Sequence, residues 1–242
     1  DQKSFIEGGR ALSIWVASLL DKSNHLMDDR AYGLASLLTP VIKGYLSDIG
    51  FEMTVVSQQI FGGHGYIEEW GMSQFVRDSR IAMIYEGTNG IQALDLMFRK
   101  LPLDNGQAMQ RLLSDVNEVI DEMKQDDEEL VSMAEKLEKE VNTLSEITLW
   151  LGSKMLEGEL VDASAGATPY LKMFGQVLGG YYMGKAAILA NKKFKETGDE
   201  FYKDKITLSK FYIEQLLPLA SGYASSITAG KEDLYAMKAE NF

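Results

Sequence analysis

Cysteine is absent from the 242 residues, which excludes disulfides, thiolate metal sites and a cysteine nucleophile. Histidine occurs only as His25 and His64, so no metal site built from protein ligands is expected. Basic residues number 24 against 36 acids, a formal net charge of −12. That balance disfavours phosphate-backbone binding, and nucleic acid is not an expected partner. No apolar run approaches the roughly 18 residues of a membrane span. The opening "DQKSFIEGGR" is neither basic nor apolar, so no signal peptide is read there and a cytoplasmic location is expected. The chain begins without Met and reads as a fragment, an expressed domain or a proteolytic product. Prolines number only four, and β-branched runs of period two are scarce.

What is there is apolar spacing of three and four residues, the signature of an all-α protein. Leu12, Trp15, Val16 and Leu19 form one stripe and predict a first helix from about Phe5 to Leu20. The polar "DKSNHLMDD" reads as a loop, with His25 solvated in it. A long second helix follows from about Ala31 to Ile60, with Pro40 as either a kink or a true start. Further helices are expected over about Met72 to Ile84, from Thr88 or Asn89 to Lys100, from Leu130 to about Glu157, and from about Asp199 to Thr228 with a kink at Pro218. "LPLDNG" punctuates the chain and places a domain boundary after residue 103. Residues 1–103 then form an up-down helix bundle and 104–242 a second helical bundle. Between Asp121 and Glu140 nine acids face three lysines, read as a solvated face. Small residues including Gly175, Gly179, Gly180 and Gly184 suggest tight helix packing, with a ligand groove as the other reading. The tail from Gly230 to Phe242 reads as frayed.

One acid stands apart. In "RIAMIYEGTNGIQALDL" Glu86 lies between apolar residues and a turn of small ones. Partial burial would raise its pKa and suit it to act as a general base toward a weak carbon acid. Gly87 leaves room for a substrate against the backbone. Thr88 reads as a helix cap whose following N–H groups favour an anion. An acid that merely caps the next helix fits this stretch equally well. The glycine turn "QQIFGGHGY" begins at Gln59, 27 residues upstream, and offers bare backbone amides.

Together, Gln59 to Leu96, "QIFGGHGYIEEWGMSQFVRDSRIAMIYEGTNGIQALDL", resembles the C-terminal helical region of acyl-CoA dehydrogenases. The family pattern is a Gln-Ile-x-Gly-Gly-x-Gly-Tyr turn, an Arg-Asp pair, then Ile-Tyr-Glu-Gly-Thr-x-x-Ile-Gln. Each element stands here in order. The second half, with "DASAGATPYLKMFGQVLGGYY", resembles the extra helical domain of a long bacterial subclass.

The resemblance implies that Glu86 removes the α-proton of an acyl-CoA thioester while a hydride leaves Cβ for FAD, giving a trans-2-enoyl-CoA. It implies FAD contacts from Gln59, Ile60, Phe61, Gly62 and Gly63, made across a homodimer interface. A second FAD set falls at Thr88, Asn89 and Gly90, and substrate contacts at Tyr85 and Gly87. Arg77 and Asp78 read as a structural turn pair, and His64 as a loop residue without a catalytic role. An electron-transferring flavoprotein is the implied electron acceptor. A complete member also carries an N-terminal helical domain, a β-domain and the first helix of this bundle, none of which is visible here. The isolated chain is therefore expected to bind FAD weakly and to show no turnover. Two other readings stand beside this one, an acyl-CoA oxidase and a non-catalytic helical assembly module.

Overall fold

The computed structural model describes residues 1–241, and among them there are helices and turns but no strand, as the spacing predicts. In chain order the α-helices are α1 (Gln2–Leu26), α2 (Asp29–Ile60), α3 (Gly63–Tyr66), α4 (Met72–Arg80), α5 (Asn89–Asp95), α6 (Gln107–Met123), α7 (Glu128–Leu156), α8 (Leu160–Ala165), α9 (Ala167–Thr197), α10 (Glu200–Phe211), α11 (Ala224–Thr228) and α12 (Glu232–Ala236). α12 and the turn after it are exposed, and Phe242 lies outside the described residues. No helix among the described residues is long and apolar enough to cross a membrane.

α1 runs through the polar stretch expected to be a loop and ends at Met27, whose φ of 53° is left-handed, so His25 sits in its last turn. Polar side chains such as Lys and Asn remove the apolar stripe but cost a helix little. α2 starts where Asp28 accepts the Ala31 N–H at 3.0 Å. Pro40 is neither its start nor its end, and lies buried inside the helix. The chain after Phe211 breaks more than one kink would require. A π segment (Tyr212–Leu216) and two 3₁₀ turns (Leu217–Leu219, Ser221–Tyr223) precede α11.

One apolar core spans both halves of the sequence. Leu12 and Val16 of α1, Leu38 and Val41 of α2, and Leu137 and Leu144 of α7 pack in it with Phe174 and Leu178 of α9. α9 is central and buried on nearly every face. Its glycines are packing residues. A Cβ at Gly175 would overlap the Tyr45 ring, and one at Gly180 would crowd Leu217 and Leu137. Where helices meet this closely, a polar network fills the junction. Tyr45 Oη lies 2.6 Å from Gln176 Oε1, and Gln176 Nε2 donates to the Leu216 carbonyl at 2.7 Å. Tyr212 Oη donates to the Gln176 carbonyl at 3.0 Å. Gln176 thereby ties α9 to both ends of the π segment.

The acidic stretch is not simply a solvated face. Asp127 caps α7 by accepting the Leu130 N–H at 3.3 Å. Asp126 and Asp127 also bind Asn191 Nδ2 and pair with Lys195. The Lys195 ammonium holds the Asp126 carboxyl below its usual range. Glu140 is 2% exposed, its Oε2 without a hydrogen-bond partner among the described residues. Burial pushes its pKa up, with Ser221 offsetting part of the shift. The native state therefore holds this proton more tightly than the unfolded chain. Its stabilising effect is lost as pH rises from the unfolded-state pKa through the folded one. Glu140→Gln is expected to raise stability at pH 7 by about 1 kcal/mol, a Tm gain of about 2–4 °C. The gain should vanish below roughly pH 4, where the wild-type carboxyl is protonated too. Thermal melts at both pH values check this, and a variant less stable than wild type at pH 7 contradicts it.

Candidate functional site

The glycine turn closes the C-terminal end of α2. Gly62 has φ 60° and ψ −143°, a conformation open to glycine alone. Its N–H donates to the Gln59 carbonyl at 3.0 Å. Gly65 is buried because a Cβ there would overlap the Gln58 carbonyl oxygen, and Gln58 Nε2 donates to the Gly65 carbonyl at 3.1 Å. Gly63 is different, since a Cβ there would meet nothing within 4 Å. Gln59, Ile60, Phe61, Gly62 and Gly63 are all exposed. His64 packs edge-on against Trp70, ring centroids 4.9 Å apart.

α4 returns the chain along α2. Thr54 Oγ1 lies 3.0 Å from Ser79 Oγ, and the Arg80 guanidinium sits 5.6 Å from the Phe51 ring centroid. Arg77 and Asp78 lie exposed within α4, where no hydrogen bond or ion pair joins them, so they do not make a turn pair. Asp78 accepts instead from Gln74 Nε2 at 2.6 Å.

The chain then turns back on itself through two consecutive left-handed residues, Glu86 at φ 56° and Gly87 at φ 81°. A glutamate in that region costs about 1–2 kcal/mol, so its neighbours must hold it there. They do so from both sides. Gln92 Nε2 donates to the Glu86 carbonyl at 3.2 Å, and Lys43 Nζ donates to the Gly87 carbonyl at 2.6 Å. Thr88 caps α5 by accepting the Ile91 N–H at 3.5 Å, as expected for that position. Asn89 turns its side chain to α2. Its Nδ2 donates to Asp48 Oδ1 at 2.6 Å, Ser47 Oγ at 2.9 Å and the Gly44 carbonyl at 3.1 Å, and its Oδ1 accepts from Lys43 at 2.9 Å.

Glu86 is exposed, not partly buried as its apolar flanks suggested, because those flanks face outward too. Ile84 is 48% and Tyr85 51% exposed. The Glu86 carboxylate makes no hydrogen bond or ion pair among the described residues, so the helix-capping reading is displaced by Thr88. A Cβ at Gly90 would meet nothing within 4 Å, and its φ requires no glycine.

Tyr85, Glu86, Gly87, Thr88, Asn89 and Gly90 are thus brought together with Lys43, Ser47, Asp48 and Gln92, which sequence reasoning missed. The signal for α2 was available in part, since residues 43, 44, 47 and 48 share one helical face. Gln59–Gly63 are not brought to this cluster. Lys43 and Gln59 lie 16 residues apart on one continuous helix, about 24 Å along its axis. A separate apolar groove of about 550 Å³ lies between α1 and α2, lined by Ile6, Ile14, Leu46, Ile49 and Met53, and touches none of the predicted site residues.

The helical bundle agrees with what comparison finds. A family model described as Acyl-CoA dehydrogenase, C-terminal domain, matches residues 6–101, and one described as Acetyl-CoA dehydrogenase C-terminal like matches residues 112–238. The chain belongs to the acyl-CoA dehydrogenase family. It is 32% identical to a 3-methylmercaptopropionyl-CoA dehydrogenase of Ruegeria pomeroyi, over 93% of this chain and 39% of that one. It is 29% identical to a butyryl-CoA dehydrogenase of Syntrophomonas wolfei, over 100% of this chain and 40% of that one. The chain therefore spans about two fifths of the length of these curated relatives. The crystal structure of Caenorhabditis elegans ACDH-11 in complex with C11-CoA shares the fold, with a TM-score of 0.75 at 22% identity over 96% of this chain and 38% of that one.

Proposed function

We propose that this chain supplies the catalytic base of an FAD-dependent acyl-CoA dehydrogenase that converts an acyl-CoA to a trans-2-enoyl-CoA. The observation that carries the reading is Glu86 itself. Its backbone is held in a costly conformation, yet its carboxylate does nothing for the fold. A structural acid would be paired. An assembly module would have no use for the strain.

Glu86 takes the α-proton onto its carboxylate, and its own N–H is assigned to the thioester oxygen, where negative charge develops as the proton leaves. Tyr85 and Gly87 line the approach of the acyl group. Binding of acyl-CoA removes water from the exposed carboxylate, which strengthens the base when substrate is present. FAD, when bound, supplies the acceptor for the hydride that leaves Cβ. The residues present fit that cofactor. Gly63 and Gly90 have no conformational or packing reason within this chain to be glycine, and both leave the backbone open to a ligand. A helical glycine costs about 1 kcal/mol against alanine, a cost that close approach of a cofactor would explain.

Gln59, Ile60, Phe61, Gly62 and Gly63 are assigned to the adenosine and pyrophosphate of an FAD held by the other subunit of a homodimer. Thr88, Asn89 and Gly90 are assigned to a second FAD contact. The separation of the two sets along α2 supports such sharing. Ile60, Phe61, Trp70 and Phe75 are exposed around the glycine turn, apolar surface of the kind that partners cover. Residues 1–103 are assigned to the family's C-terminal helical domain without its first helix, and 104–242 to the additional helical domain. The flavin-holding β-domain belongs to the complete polypeptide, an electron-transferring flavoprotein is the assigned acceptor, and the location is assigned to the cytoplasm.

Anaerobic addition of a saturated acyl-CoA to the complete flavoprotein tests the reading. The oxidised-flavin absorbance should bleach and an enoyl-CoA should form. No bleaching with any chain length rejects it, and rapid peroxide formation in air would place the enzyme with the oxidases.

A further inference from the structure

The turn that carries Glu86 is held from outside by a single cation. We propose that Lys43 is a positioning residue for Glu86, fixing the direction of the base by clamping the peptide plane that follows Gly87. The proposal rests on reading Glu86 as the base.

Three observations converge. First, among the described residues Lys43 is the one cationic side chain that hydrogen-bonds residues 85–90, reaching the Gly87 carbonyl at 2.6 Å and Asn89 Oδ1 at 2.9 Å. Second, Asn89 is locked by three further bonds to Gly44, Ser47 and Asp48, so both anchor points lie on one face of α2. That helix cannot easily move, because Leu38, Val41 and Tyr45 along it are buried in the core. Third, the carbonyl that Lys43 holds belongs to Gly87, the second of the two consecutive left-handed residues.

The geometry gives Lys43 a specific task. Glu86 and Gly87 are joined by a peptide plane whose carbonyl accepts from Gln92, and Gly87 is joined to Thr88 by a plane whose carbonyl accepts from Lys43. The two bonds together fix the Gly87 dihedrals and tie the exit of the turn to α2. The Tyr85 N–H, bonded to the Ile81 carbonyl at 3.1 Å, holds its entry, so Glu86 is suspended between two anchored ends. Gln92 alone holds the second plane only loosely, at 3.5 Å. Without the ammonium, that plane turns about the Gly87 dihedrals and the exit of the turn comes loose from α2, so the Glu86–Gly87 segment and the carboxylate it carries lose their fixed position. A misplacement of about 1 Å can cost on the order of 10²-fold in rate. A charge-assisted bond to a carbonyl is also among the stronger ones a side chain makes.

The test uses Lys43→Met, which keeps the aliphatic stem and removes the donor. In the 242-residue chain, exchange of the bonded amides that flank the turn, those of Tyr85, Ile91 and Gln92, should accelerate at least about tenfold while exchange in α9 is unchanged. Because the chain holds no cysteine, Lys43→Cys treated with 2-bromoethylamine restores an ammonium at this one position, and should restore the protection. In the complete flavoprotein, Lys43→Met should lower kcat about 10- to 100-fold with KM for acyl-CoA nearly unchanged. The isotope effect on an α-deuterated substrate should rise, since proton removal then limits the rate. In a Glu86→Gln background Lys43→Met should slow the residual reaction no further. Unchanged exchange, an unchanged kcat, or an equal loss in the Glu86→Gln background each overturns the proposal. If Glu86→Gln itself turns over at the wild-type rate, the base assignment falls and this proposal with it. If Glu86→Gln is inactive and Lys43→Met is not slowed, only the role of Lys43 falls.

Discussion

Glu86→Gln should lower the turnover of the complete flavoprotein by at least about 10³-fold, within the range removed with a general base, and leave the thermal stability of the chain unchanged. The two halves of this expectation come from different facts. The rate falls because an amide takes no proton from carbon, and no other carboxylate lies in the turn between Ile84 and Asn89. The stability holds because the carboxylate is exposed and unpaired among the described residues, so nothing in the fold is lost with it. A companion variant sharpens the point. Glu86→Gly removes a left-handed penalty of about 1–2 kcal/mol and adds chain entropy of about 0.4–1 kcal/mol to the unfolded state. Its net effect should be neutral to about 1 kcal/mol stabilising. A glutamate kept for structure would lower the Tm when replaced by either residue. Circular dichroism melts of the 242-residue chain and steady-state kinetics of the flavoprotein separate the cases.

The second large effect concerns the fold. Gly179→Ala should destabilise the chain by about 2–3 kcal/mol, as overpacking of a filled site does, with a Tm drop of roughly 4–12 °C for a protein of this size. The added methyl would overlap the Tyr212 hydroxyl, which donates to the Gln176 carbonyl inside the core. Neither side has room to yield, since Tyr212 is 1% exposed and α9 is buried around it. The loss should exceed the roughly 1 kcal/mol that alanine gains over glycine as a helix former. Tyr212→Phe in the same chain removes the hydroxyl and should recover part of the loss. Denaturant unfolding of the three variants measures it, and a Gly179→Ala chain as stable as wild type would show that the contact relaxes freely.

Much of the helical layout was legible because burial leaves a three-to-four-residue record. Leu12, Val16 and Leu19 turned up buried on α1, and Leu137, Val141 and Leu144 on α7. The ends were less legible. α1 overran its apolar stripe by six residues, since Lys22, Ser23 and Asn24 mark no boundary by themselves when the stop comes from the backbone of Met27. The breaks around Pro218 exceeded a kink because the π segment answers to Gln176, a partner distant in sequence that bonds both Tyr212 and Leu216. The site split in the same way. Gly87 and Thr88 could be read from residue type, because a positive φ and a helix cap are local demands. The exposure of Glu86 could not, since its apolar neighbours face away from the core of these residues. Asn89 looked like a ligand contact and proved also to be a tether, because the face of Lys43, Ser47 and Asp48 that receives it lies more than 40 positions earlier.

Gly44 and Tyr45 are adjacent on α2, and both pack against α9. The Gly44 carbonyl receives the tether of the turn that carries Glu86, while Tyr45 joins the network of Gln176 and the π segment. A single helical turn is thus shared property of the two halves of the sequence. Inheritance feels this directly. A recombination event that exchanged the second half for that of a distant cousin would bring in a foreign partner for Tyr45, and the register of α2 would shift beneath Lys43. Such a chimera would disturb the Glu86 turn through residues of the core, so the two halves are bound to change together.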